Sequence, residues 1–320
     1  MRQHGAPPRC GQVKEGVVSG TKGGHLNTRS SLGALLGHPA FADFGPLLLP
    51  WDDRTYDASM PLARIGSLLP YHGDVDPETV TRALNRMVDD VDGGQQVFYP
   101  FYTAAQRQEQ PARDLTGLFF FRGRPGAPFA LVCPGGGFSY VGSVHEGFPY
   151  AAELSRRGYN AFVLRYHAGH GGAVATEDLA AALSYIFANA GALGVSTADY
   201  SLWGSSAGAR MAAAIGSHGA AAYGGSDLPK PATVVMAYTA HSDHTSDEPP
   251  TFVVVGEQDG IAPPSVMERR VAALRRSGTV VEFRRYPDLG HGFGPGVGTS
   301  AEGWLMDATR FWERFIHKAD

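Results

Sequence analysis

Apolar residues in this chain fall into two regimes. From about residue 116 onward, short and mostly continuous apolar strand candidates recur: LFFFR (118–122), FALVC (129–133), NAFVLRY (160–166), YSLWG (200–204), ATVVMAY (232–238), TFVVVG (251–256) and VVEFRRY (280–286). Most lack period-2 alternation, as expected of strands covered on both faces of a parallel sheet. Between the runs, apolar residues return at helical spacing. Leu179, Leu183 and Ile186 predict a helix behind a Thr176 N-cap, and Met267, Val271 and Leu274 predict another after Pro263-Pro264. Trp304, Ala308, Phe311 and Phe315 predict the last. Strands alternating with helices imply βαβ units, hence a mainly parallel twisted sheet flanked by helices. There is no internal repeat.

Upstream the pattern is different. Residues 1–32 are rich in Gly, Pro, Arg and Ser, show no periodicity, and read as a flexible N-terminal arm. Residues 33–115 carry apolar clusters such as FGPLLLPW (44–51), broken by prolines. One helix is legible there. Asp76 is a good N-cap, Pro77 suits the first turn, Val80, Leu84, Met87 and Val91 form one stripe, and Gly93-Gly94 ends it. The segment is too apolar for a linker. It is expected to pack on the main domain (116–320) as an N-terminal extension, with a lid or a subunit contact in a homo-oligomer as its open roles.

Composition narrows the function classes. The formal net charge is −4, so no basic surface argues for a nucleic-acid partner. The two cysteines, Cys10 and Cys133, read as free thiols. No apolar run approaches the roughly 18 residues of a membrane span. The start, MRQHGAPPRCGQVKEG, lacks the apolar core of a secretion signal, so the expected location is cytoplasmic unless a leader was removed.

In a parallel sheet, chemistry collects in the loops at the carboxyl ends of the strands. Four such loops stand out. FALVC leads into Pro134-Gly135-Gly136-Gly137-Phe138, and YSLWG into Ser205-Ser206-Ala207-Gly208. TFVVVG leads into Glu257-Gln258-Asp259-Gly260, and VVEFRRY into Pro287-Asp288-Leu289-Gly290-His291. Any one of them has a plain reading as a turn or a helix cap. Together they supply a glycine loop, then Ser, then an acid, then His, each at a strand end.

That order suits nucleophilic acyl transfer. A serine hydroxyl is a weak nucleophile and needs an adjacent base. Gly204-Ser205-Ser206-Ala207-Gly208 fits a G-x-S-x-G elbow that presents Ser206, with Ser205 at the tolerant x position. His291 is the candidate base and Asp259 its orienting acid, with Asp243 or Asp247 as alternative acids. The amides of Gly136, Gly137 and Ala207 are the candidate oxyanion donors. Phe138, Tyr140, His145, Glu146 and Ser205 are the candidate substrate-binding residues; His145-Glu146 have a second reading as the cap of a helix beginning near Gly147. The loop His241-Ser242-Asp243-His244 with Asp247 is too loosely spaced for a metal site, so neither metal nor cofactor is expected.

With these motifs the chain resembles the α/β-hydrolase superfamily. PGGGF (134–138), GSSAG (204–208), GEQDG (256–260) and GHGFG (290–294) carry the likeness, which covers about residues 116–318. It is most similar to bacterial carboxylesterases of the hormone-sensitive-lipase-like and carbohydrate-acetylesterase branches. The resemblance implies an α/β-hydrolase fold and a serine esterase acting on a small-molecule ester of a short-chain acyl group. The alternatives are a carbohydrate deacetylase of the acetylxylan type, a serine peptidase and a non-catalytic binding protein. Cys133-Pro134 precede the glycines where the lipase-like branch has His, a departure that looks more like the acetylesterase side. The short segment 239–250 leaves no room for a large cap.

Overall fold

The computed structural model describes residues 23–317. Eight strands form one sheet in the order β1-β2-β4-β3-β5-β6-β7-β8. They are β1 (Phe98–Tyr99), β2 (Gly117–Phe121), β3 (Pro128–Cys133), β4 (Asn160–Arg165), β5 (Ser196–Ser205), β6 (Thr233–Ala237), β7 (Thr251–Gly256) and β8 (Val281–Tyr286). β2 runs antiparallel to both β1 and β4; β4, β3, β5, β6, β7 and β8 are mutually parallel. The two-residue β1 is too short to show in the sequence pattern.

The mostly continuous apolar runs are explained by two cores, one on each face. Phe119, Phe121, Val132, Val163, Trp203, Val235 and Val254 point to one side. Their neighbours Leu118, Phe120, Leu131, Phe162, Leu202, Val234 and Val253 point to the other. The helices Gly171–Ala188, Ala207–His218 and Pro264–Arg276 cover the second side. The first side is covered by the helices Phe148–Arg156 and Trp304–Glu313 and by the N-terminal extension. The extension contributes Leu35, Phe41, Leu48, Leu62 and Ile65, and the stripe of the helix Pro77–Asp92, capped by the Asp76 side chain on the Thr79 amide.

Three expectations need correction. The helix expected behind Thr176 begins at Gly171; Thr176 lies inside it and its hydroxyl donates to the Gly172 carbonyl at 2.7 Å. His145 and Glu146 are not a cap but part of a π-helical turn, Ser143–Gly147, that runs into the next helix. Of the expected arm, residues 1–22 lie outside the described residues, whereas Leu26 is buried and its amide donates to Asn85 at 2.8 Å. No described helix is long and apolar enough to cross a membrane.

Candidate active site

The register of the sheet brings the four loops together. Cys133 pairs with Gly204, so the glycine loop and the serine elbow leave the sheet side by side. Ser205 pairs with Ala237, which sets Tyr238 next to Ser206. Gly256 pairs with Tyr286, which does the same for the loops of Asp259 and His291.

Ser206 sits between β5 and the helix Ala207–His218 at φ 51°, ψ −116°, a conformation non-glycine residues seldom adopt. Its amide stays tied to the sheet, donating to the Ala237 carbonyl at 2.8 Å. The flanking glycines are sterically required. A Cβ on Gly204 would stand 2.4 Å from the Gly208 carbonyl carbon, and one on Gly208 only 1.8 Å from the Cys133 oxygen.

The expected partners converge on Ser206. His291 Nε2 lies 2.8 Å from Ser206 Oγ, and His291 Nδ1 lies 2.7 Å from Asp259 Oδ2. Ionised, the carboxylate can only accept, so Nδ1 donates and Nε2 is left facing the serine hydroxyl. Asp259 is itself fixed, its other oxygen accepting from the amides of Ile261 (2.8 Å) and Ala262 (2.7 Å). The alternative acids are engaged elsewhere: Asp243 with His218 at 2.7 Å, and Asp247 with Lys230 at 2.8 Å.

The glycine loop abuts the elbow: a Cβ on Gly135 would stand 2.8 Å from Ser206 Cβ. Gly136, Gly137 and Phe138 all have positive φ (130°, 62° and 60°). Among the described residues, the amides of Gly136, Gly137 and Ala207 donate to no protein acceptor. Ala207 opens a helix, where the first amides have no partner within the helix.

Phe138 is half-buried at the rim, with the Arg210 guanidinium 5.8 Å from its ring centre. The other four residues expected to bind substrate do not line an accessible surface. Tyr140, His145, Glu146 and Ser205 are at most 1 % exposed. They lie in a polar cluster beneath the site. Tyr150 bridges the hydroxyls of Ser205 (3.1 Å) and Tyr238 (3.2 Å), and Tyr238 donates to Glu146 at 2.8 Å. The Tyr238 ring meets that of His291 edge-on, centroids 5.2 Å apart. Burial holds the Tyr150 and Tyr238 hydroxyls well above the ordinary tyrosine pKa.

Sequence reasoning missed Tyr71, His72 and Gly73 of the extension. Gly73 donates to the Gly292 carbonyl at 3.1 Å, directly after His291. Tyr71 is 42 % exposed and reaches the glycine loop: a Cβ on Gly137 would stand 3.1 Å from its ring. No motif marks these residues, because no local pattern shows where the extension crosses the site. Tyr238 had a usable signal, since it closes the apolar run ATVVMAY at the carboxyl end of β6. Among the described residues, no group of three or more His, Cys, Asp or Glu is arranged to hold a metal ion.

His145 has a consequence for stability. Its Nε2 donates to the Gly292 carbonyl at 3.0 Å. Burial, reinforced by the neighbouring His72, pushes its pKa down from 6.5 to about 4. His241 is pushed down to about 4 as well, chiefly by burial. Both stay neutral in the native state where unfolded histidines take up protons. The unfolded state therefore binds more protons in this window, and stability falls as pH drops from 6.5 towards 4. Thermal unfolding at stepped pH should show Tm falling through that window, and less steeply in His145→Gln, which keeps a donor for Gly292. Equal slopes for the two proteins would refute the assignment.

The chain has the α/β-hydrolase fold. Solved structures similar to it include the α/β-hydrolase enzyme MGS-M1 from a Medee basin deep-sea metagenome library, 24 % identical with a TM-score of 0.55 over 62 % of this chain and 92 % of that one. The acetyl ester-xyloside bifunctional hydrolase of Caldicellulosiruptor lactoaceticus is 19 % identical, TM-score 0.58, over 69 % and 97 %. The carboxylesterase Cest-2923 of Lactobacillus plantarum WCFS1 is 19 % identical, TM-score 0.55, over 64 % and 95 %. Residues 226–318 match the model of the prolyl oligopeptidase family, a stretch that includes Asp259 and His291 but not Ser206. No curated protein sequence matches the chain.

Proposed function

We propose that this protein is a serine hydrolase that cleaves carboxylic esters of short-chain acyl groups through an acyl-enzyme. The hydrogen-bonded line Asp259–His291–Ser206, with Ser206 at a strained strand–helix elbow, is the observation that carries the reading. His291 takes the Ser206 proton as Oγ attacks the ester carbonyl, then passes it to the departing alkoxide. Asp259 holds the imidazole in one tautomer and balances the charge of the imidazolium. The amides of Gly136, Gly137 and Ala207 receive the oxyanion of the tetrahedral intermediate. Water, activated by the same histidine, then releases the acid from Ser206.

Selectivity for short acyl groups is argued from the connection between β6 and β7. Residues 238–250 contain neither helix nor strand, so no cap domain arises there to enclose a long chain. With p-nitrophenyl esters of rising acyl length, kcat/KM is expected to peak between acetyl and butyryl and fall about tenfold or more by octanoyl, since each misplaced methylene costs about 1–3 kcal/mol. A maximum at long chains, with activation at an oil–water interface, would contradict this. Two further substrates separate the neighbouring readings. Acetylated xylo-oligosaccharides test a carbohydrate esterase, suggested by the acetyl ester-xyloside hydrolase. A prolyl p-nitroanilide tests a peptidase, suggested by the prolyl oligopeptidase match. Anilide turnover faster than ester turnover would replace the esterase reading.

A further inference from the structure

The oxyanion loop, with positive φ at Gly136, Gly137 and Phe138, is closed by its own hydrogen bonds from Ser139 and Tyr140 to the Gly136 carbonyl and is also held from outside itself. The Gly135 amide donates to Glu146 Oε2 at 2.5 Å. The Glu146 side chain is wholly buried. A buried carboxylate needs partners, or it changes protonation or draws in water. Its other oxygen accepts from the Tyr238 hydroxyl and lies 3.0 Å from His72 Nε2, a close contact that is not aligned as a hydrogen bond. His72, with 2 % of its side chain exposed, belongs to the N-terminal extension; its Nδ1 lies 2.9 Å from the Tyr140 hydroxyl. Burial alone would raise the Glu146 pKa; His72 is the main influence that instead brings it down to about 2.

The same group reaches the histidine loop. Tyr238, held by Glu146, accepts from the Gly294 amide at 3.2 Å and packs edge-on against His291. Next to His72, Gly73 donates to the Gly292 carbonyl. His72 fits closely: a Cβ on Gly142 would stand 2.9 Å from its Nε2. We propose that His72 is a positioning residue of the active site, which through Glu146 holds the oxyanion loop at Gly135 and the His291 loop at Tyr238. The extension is then a working part of the catalytic unit and not only a cover for the sheet. This rests on the esterase reading, because the loop it positions is the one assigned to the oxyanion.

The test uses the full chain and His72→Ala, with His72→Gln as the conservative variant that restores a donor. Sites are counted by stoichiometric phosphonate labelling, so that unfolded protein does not enter kcat. For p-nitrophenyl acetate, His72→Ala is expected to lower kcat per labelled site by about 10- to 100-fold, below the 10²–10³ of deleting an oxyanion donor outright. KM should stay within about threefold, because an interaction made only in the transition state leaves ground-state binding alone. A trifluoromethyl ketone, which forms an oxyanion on Ser206, should lose affinity by the same factor as kcat/KM. His72→Gln should recover part of both, and hydrogen exchange should quicken at 134–138 and 290–294. If His72→Ala does not fold, the same measurements on His72→Gln decide, with smaller losses in the same two quantities expected. Unchanged kcat per labelled site, or a fall in kcat with undiminished ketone affinity, overturns the proposal and leaves the esterase reading standing. A wild-type protein that neither turns over esters nor takes the phosphonate label overturns both.

Discussion

Ser206→Ala is expected to lower kcat for ester hydrolysis by about 10⁴–10⁶-fold, by analogy with other serine triads, while the fold persists. The substitution keeps Cβ, so the backbone at φ 51° meets nothing new. What disappears is the oxygen 2.8 Å from His291 Nε2, and with it the acyl-enzyme. The neighbouring serine supplies the control. Ser205 is fully buried and its hydroxyl meets Tyr150 at 3.1 Å, so Ser205→Ala should cost far less. Steady-state kinetics with p-nitrophenyl acetate, far-UV circular dichroism and the mass of the phosphonate-labelled peptide give the readouts. If Ser205→Ala abolishes activity and Ser206→Ala does not, the nucleophile has been misassigned.

Asp259→Asn should lower kcat by about 10⁴-fold, the loss such a change produces in a serine protease by favouring the wrong tautomer. The carboxylate accepts on both oxygens, from His291 Nδ1 on one side and from the amides of Ile261 and Ala262 on the other. An asparagine must place its NH₂ group toward either the amides or His291. Facing the amides sets donor against donor; facing His291, it forces the Nδ1 proton onto Nε2, where it can no longer accept from Ser206. Asp288, only three residues before His291, accepts from Ser300 at 2.5 Å on the surface, so Asp288→Asn should leave kcat within a few-fold of wild type. Comparable losses at the two positions would refute the assignment of Asp259.

Much of this was legible in the sequence, for a local reason. Six of the seven runs are strands covered on both faces, so they are largely apolar throughout and end in glycines or polar residues; the seventh, VVEFRRY, forms the edge strand β8, which is only partly buried and keeps Glu282, Arg284 and Arg285. The positions of Ser206, Asp259 and His291 follow from chain order and strand ends, which a linear reading captures. The Asp76 cap and the stripe of Val80, Leu84 and Met87 are equally local.

The failures came where partners are distant in the chain. Tyr140, His145 and Glu146 lie beyond the end of β3 and Ser205 is the last residue of β5; all four are polar or amphipathic, which in sequence reads as a pocket lining. Whether such a residue faces a substrate or lies beneath the site depends on what covers it. Here the cover includes Tyr71 and His72, far upstream in the extension. Thr176 has the chemistry of an N-cap, but the helix starts more than a turn earlier at Gly171, and the threonine bonds back to Gly172 within it. Local side-chain chemistry and apolar periodicity are properties of a few consecutive residues, so the sequence by itself determined seven of the eight strands and the order of the candidate triad. Burial and register are set by segments brought together from across the chain, so only the tertiary structure decided which polar residues face Ser206 and which hold its loops from behind.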